Sequence, residues 1–160
     1  MTAQPETPGE SPALETARRF AAAMPHVAAI GIEVVAAAVG WTRLRLPWQA
    51  ELVGNPDRGL LHGGAITTLI DSASGLAVFL ALERAPAIAT LDLRIDYLRP
   101  PGAGEAVIAD AECYRLTRSI AFVRALAHHG DAGRPIAHGA STFKLDSPGG
   151  PLPARATGRP

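Results

Sequence analysis

The chain has 160 residues, 48% of them apolar and 19% charged, and its 15 basic and 15 acidic side chains cancel at neutral pH. That length fits one domain able to enclose its own core, and the charge balance gives no electrostatic footing for nucleic acid or an anionic membrane. Cys113 is the only cysteine, so an internal disulfide is excluded and secretion gains no support.

The N-terminal stretch MTAQPETPGESPALE is acidic and proline-rich, the opposite of a signal peptide's basic start and apolar run, so a cytoplasmic protein is expected. Residues 1–13 and 147–160 are rich in Pro and Gly without periodicity, which predicts two disordered tails around one domain over 14–146. Residues 14–24 suit a short helix with Leu14, Ala17, Phe20, Ala21 and Met24 on one face, stopped by Pro25. Two strands are expected over 30–37 and 41–46, around Val39-Gly40. The second sets Trp41, Arg43 and Arg45 against Thr42, Leu44 and Leu46. After the loop ELVGNPDRGLL, a long apolar helix opens at His62-Gly63-Gly64 and stops at Ala85-Pro86-Ala87. Its apolar run, 63–82, is about the length of a membrane span. Asp71, Ser72 and Ser74 at its middle, and the lack of a basic flank, favour a buried helix instead.

The remainder is strand after strand. Over 88–98, Ala89, Leu91, Leu93, Ile95 and Tyr97 alternate with Thr90, Asp92, Arg94 and Asp96, which predicts one buried and one polar face. Residues 105–116 turn Val107, Ala109, Ala111 and Cys113 one way, 119–129 do the same with Ala121, Val123, Ala125 and Ala127, and 135–145 form the last strand. Short connections favour antiparallel pairing, and a helix apolar nearly all round must be wrapped. An α+β fold with one curved antiparallel sheet around a central helix, the hot-dog architecture, meets both demands.

Asp71 is the most informative residue. Aspartate is a poor interior helix residue, and burying its charge without partners costs several kcal/mol. A catalytic carboxylate explains it; a structural alternative is a buried pair with Ser72, Ser74 or a neighbouring Arg. The glycines at 63 and 64 let another group approach the free N–H donors of the first turn, where the dipole favours negative charge. Such donors can hold the oxyanion formed when a carbonyl is attacked, although a Gly pair can also serve only a tight loop. Gly64 and Asp71, seven residues apart, share a helix face but stand about 10 Å apart along the axis. Base and oxyanion donors must converge on one reacting group. If both serve one reaction, the second set comes from another subunit, which implies a two-fold dimer with two shared sites.

The stretches NPDRGLLHGGAITTLIDSASG and ATLDLRIDYLRPP resemble the phenylacetate-degradation-type branch of the hot-dog thioesterases across roughly 48–145. The resemblance implies hydrolysis of an acyl-CoA thioester at the interface of a homodimer or dimer of dimers, without metal or cofactor. It implies that Asp71 activates water or attacks directly, and that the Gly63 N–H polarises the carbonyl. It further implies that Asn55 and His62 shape the opposite wall, and Gly64 is a candidate for substrate binding. Asn55 lies seven residues before His62 where many members have six, and Gly75 stands where some relatives carry a hydroxyl, a departure that implies a wider acyl pocket.

Arg99 at a strand end and Arg118 in a hairpin turn are candidates for the CoA phosphates, because guanidinium pairs bidentately with phosphate; solvated arginines are the plain alternative. Thr90 is a candidate for lining the thioester site, and Leu69, Ile70, Leu76 and Phe79 for an apolar pocket. His128, His129, Asp131 and His138 match no zinc spacing, Cys113 reads as core, and a serine-hydrolase Gly-x-Ser-x-Gly elbow is missing. Two rival readings are a non-hydrolytic acyl-CoA sensor, which would usually need an output domain, and a hot-dog enoyl-thioester hydratase, which would need an acid–base pair.

Overall fold

A computed structural model describes residues 11–83 and 87–146. Of the expected tails over 1–13 and 147–160, only 11–13 is described, and it enters a helix rather than a tail; Ala85 and Pro86 also lie outside the described residues, and the long helix has already ended at Ala81. Ser11 accepts a hydrogen bond from Leu14 N–H (3.1 Å) and Pro12 fills the first turn, so helix α1 runs Pro12–Ala22, two residues ahead of expectation. Pro25 ends α1 as expected and also starts a short helix α2, Pro25–Ala29. Strands β1 (Glu33–Ala38) and β2 (Trp41–Leu46) follow. The loop that follows contains a 3-10 turn (Ala50–Leu52) and a small hairpin, β3 (Val53–Asn55) with β4 (Leu60–Leu61). Helix α3 (Gly63–Ala81) precedes β5 (Ile88–Tyr97), β6 (Val107–Leu116), β7 (Ile120–His128) and β8 (Ala137–Leu145).

The six long strands form one antiparallel sheet in the order β1-β2-β6-β7-β8-β5, with α3 against its concave face. The inward residues are small. Ala109, Ala111, Ala121, Ala127 and Ala137 are almost wholly buried, and a Cβ built at Gly139 would lie 2.8 Å from Ile70 Cγ2. That smoothness lets the helix lie close to the sheet. Ile66, Leu69, Ile70, Leu76 and Phe79 fill the gap, each worth roughly 1.5–3 kcal/mol when buried. Phe20 of α1 covers Phe79, ring centroids 4.5 Å apart, and buried Thr42 donates to the Ala73 carbonyl (2.9 Å). α3 is long and apolar enough to cross a membrane by length and composition, yet it runs as the core helix of this sheet.

Two bulges correct the simple alternation. In β6, Cys113 and Arg115 pair successively with Val123 and Phe122, so Tyr114 is an extra, exposed residue. In β5, Thr90 pairs with Phe143 and Asp92 with Thr142, so Leu91 is extra and 57% exposed rather than buried. From Leu93 onward the expected face points inward, but before the bulge Ile88 and Thr90 do.

On the convex face, Arg43 grips Asp110 with two bonds (2.6 and 2.8 Å), while Gly130 N–H donates to His128 Nδ1 (2.9 Å), leaving His128 Nε2 to donate to Asp110 (3.1 Å). Burial alone would push the Asp110 carboxyl up, but the bonds from Arg43 and His128 hold it below the ordinary carboxylate value. A depressed carboxylate stabilises the fold fully above its unfolded value and loses that contribution as pH falls through its folded one. Asp110→Asn should therefore lose about 2 kcal/mol at neutral pH, and the gap to the parent should close as pH drops below 3.8. Urea melts across pH check this; a gap that ignores pH contradicts it.

Candidate active site

The site begins where the β3–β4 hairpin delivers the chain to α3. His62 N–H donates to Leu52 O (2.8 Å), and His62 caps the helix by accepting from Gly64 N–H at Nδ1 (2.9 Å). Gly54, the extra residue of the hairpin's irregular register, makes room for this: a Cβ there would lie 2.8 Å from His62 Cα and 2.9 Å from its ring. With Gly64 N–H capped, the amide left open is that of Gly63, which has no acceptor among the described residues. It sits at the positive end of the 19-residue α3.

Asp71 lies two turns further along. The helix expected from the sequence to be buried is only partly covered on this face. α3 leaves a stripe, Thr67, Thr68, Asp71, Ser72 and Gly75, that its own chain only half covers. Among the described residues the one bonded partner of the Asp71 carboxylate is Thr90, whose Oγ1 donates to Asp71 Oδ1 (3.0 Å). Neither Ser72, Ser74 nor an Arg satisfies it, and among the described residues no cation pairs with it. The Leu91 bulge is what brings Thr90 round to the helix. Without that bulge the hydroxyl would point away. Gly63 and Asp71 are eight residues apart on one unbroken helix, about 12 Å along its axis.

The other candidates are spread more widely. Asn55 Oδ1 accepts from Arg58 N–H (3.1 Å) and shapes the turn ahead of β4. Gly75 faces Phe143 and Ile88, its added Cβ falling at 3.6 and 4.0 Å from them. Arg118 is exposed in the turn between β6 and β7. Arg99 is engaged with backbone, donating to the carbonyls of Pro135 (3.1 Å) and Arg134, and it borders a 310 Å³ cavity with Glu105, His129 and Asp131. His129 bonds Gly102 N–H and the Ala106 carbonyl, both at 2.7 Å. Leu69, Ile70, Leu76 and Phe79 belong to the core beneath the helix rather than to an open pocket. The cavity beside the helix start, about 390 Å³, is instead walled by Ile30, Leu52, Val53 and Ala65, with His26 and His62 at its edge. Burial pushes the Cys113 thiol up, keeping it protonated and unreactive at neutral pH.

Residues 58–136 match the model of the thioesterase superfamily. The medium/long-chain acyl-CoA thioesterase YigI of Salmonella typhimurium is 31% identical over 121 residues, 68% of this chain and 77% of its own. This chain belongs to the thioesterase superfamily. A protein of Halobacterium salinarum is 43% identical over 94 residues, the match spanning 57% of this chain and 61% of that relative's length. A mutant structure of the phenylacetic acid degradation protein PaaI from Thermus thermophilus is 30% identical and superposes with a TM-score of 0.67 over 76% of this chain and 99% of that one.

Asp71 and the His-Gly-Gly start were legible in this superfamily member's sequence; Gly54 was not, because only the hairpin brings it against His62. Gly54→Ala should cost about 1–2 kcal/mol and shift the His62 imidazole resonances. Thermal melting and NMR check it; unchanged melting with unchanged His62 signals contradicts the contact.

Proposed function

We propose that the chain hydrolyses acyl-CoA thioesters in the cytoplasm, with Asp71 acting on the carbonyl carbon. The observation that carries the reading is a half-buried carboxylate with no cation beside it among the described residues, aimed by Thr90, on the same helix whose first turn offers an open N–H. A carboxylate kept for stability would have a charged partner, as Asp110 does. Asp71 either takes the proton of an attacking water or attacks the carbonyl itself. The developing oxyanion is held by the Gly63 N–H, and CoA leaves as its thiolate. Because about 12 Å of helix separates the two groups, each site takes Gly63 from one chain and Asp71 from a second copy, related by a two-fold axis. The half-covered stripe of α3 and the ten-residue edge strand β5 support that pairing.

The cleft beside His62, lined mainly by Ile30, Leu52, Val53 and Ala65 with Glu51 and Thr68 among them, suits a small aryl or medium-chain acyl group, in keeping with the names of YigI, a medium/long-chain acyl-CoA thioesterase, and of PaaI, a phenylacetic acid degradation protein. Arg118, exposed and without a bonded partner among the described residues, is better placed for a CoA phosphate than Arg99.

Incubation with a panel of acyl-CoAs should release free thiol. Asp71→Asn should lower kcat by roughly 10²-fold or more, keep acyl-CoA binding, and melt no lower than the parent. A folded Asp71→Asn protein with near-normal turnover would sink the reading. Binding without thiol release in the parent would favour a sensor, and hydration of an enoyl-CoA would favour a hydratase.

A further inference from the structure

Tyr97 ends β5 with its ring turned toward α3, and its Oη donates to the Gly63 carbonyl (2.8 Å). That carbonyl and the Gly64 N–H belong to one peptide plane. The N–H end of the same plane donates to His62 Nδ1 (2.9 Å). The Gly63–Gly64 peptide is therefore held at both ends by side chains, one from the loop before the helix and one from the edge strand. The preceding plane is held too, since the His62 carbonyl accepts from Ala65 N–H (3.0 Å). What is left at its other end is the open N–H of Gly63.

These restraints fall on the linkage that most needs them. Two successive glycines have the widest conformational freedom of any dipeptide, and the first turn of a helix lacks the backbone bonds that stiffen its interior. An oxyanion donor works only if its N–H points where the charge will develop, within some 10–20°. A side chain at 63 could supply stiffness, but a Cβ there would come 3.4 Å from Tyr97 Oη and would crowd the open amide. A bond from outside achieves the same restraint while the backbone stays bare. A second contact, Thr67 Oγ1 to Tyr97 Oη at 3.4 Å, keeps the phenol over this turn.

We infer that Tyr97 is a positioning residue: it fixes the Gly63–Gly64 peptide so that the Gly63 N–H is aimed at the thioester oxygen. The inference rests on the thioesterase reading above and adds a residue to it. Tyr97 touches neither base nor leaving group, so its removal should weaken the donor's alignment without altering the binding of CoA or of the acyl chain.

Tyr97→Phe isolates the hydroxyl, because it keeps the ring and removes only the contacts of Oη with the Gly63 carbonyl and the Thr67 hydroxyl. The expected result is a fall in kcat of about ten- to a hundredfold, with KM and melting temperature unchanged. Two acyl-CoA analogues sharpen the readout: a ketone in which CH₂ separates the carbonyl from sulfur, and an S-alkyl thioether lacking the carbonyl. The variant should bind the ketone several-fold more weakly than the parent and the thioether equally well. Undiminished kcat in Tyr97→Phe, or equal losses on ketone and thioether together with a lower melting temperature, would overturn the inference. If the parent itself released no thiol from any acyl-CoA, the proposed reaction would fall, while the contrast between ketone and thioether would still decide whether Tyr97 aims the amide.

Discussion

Helix α3 is a stiff ruler with a hydrogen-bond donor at one end and a carboxylate two turns along, and no movement of a single chain brings those groups to one carbonyl carbon. About 12 Å of rigid helix lies between Gly63 and Asp71, whereas a base and an oxyanion donor must both stand close to the reacting group. A helix in this position cannot bend without losing its packing. Its buried side holds Ile66, Leu69, Ile70 and Ala73 with no exposed surface, and Thr42 ties down the Ala73 carbonyl just beyond Asp71. The fold fixes the spacing, and under the proposed mechanism that spacing calls for two copies.

What the sheet contributes is placement. The alanine-lined concave face and Gly139 let α3 lie close enough for strand side chains to reach its groups. β5 then supplies two of them. Thr90 bonds the carboxylate and Tyr97 bonds the first turn, seven residues apart along one strand that runs beside the helix. Both face inward only because Leu91 is an extra residue between Thr90 and Asp92. A regular strand carrying Tyr97 inward would turn Thr90 outward. The irregularity is thus what equips a single strand to address both ends of the ruler.

Much of this could be read from the chain. The apolar run broken by Asp71, the His-Gly-Gly opening and the period-two strands led to the architecture and to the central carboxylate. The boundaries of β2, β6 and β7 followed from alternation because each buries one face. The hairpin within ELVGNPDRGLL was hidden, since strands of three and two residues carry no period. The bulges at Leu91 and Tyr114 were hidden because both residues fit the regular alternation on paper, Leu91 in line with the apolar set from Ala89 to Tyr97 and Tyr114 on the face opposite Cys113. Gly54 and Tyr97 matter through contacts with His62 and Gly63 from eight and 34 residues away. Arg99 looked free at a strand end, and the loop carbonyls that occupy it lie 35 and 36 residues further on.

The claim on which the rest turns, one site made from two chains, is tested most directly by mixing two inactive variants. Asp71→Asn removes the carboxylate. Gly63→Pro removes the open N–H at the first helical position, where proline is tolerated. Each alone should be nearly inactive. After subunit exchange, a mixed dimer carries one site with both groups intact and one with neither, so an equal mixture should regain roughly one quarter of the parent's turnover. A mixture no more active than its components would contradict the account, since it would place both groups of a working site within a single chain.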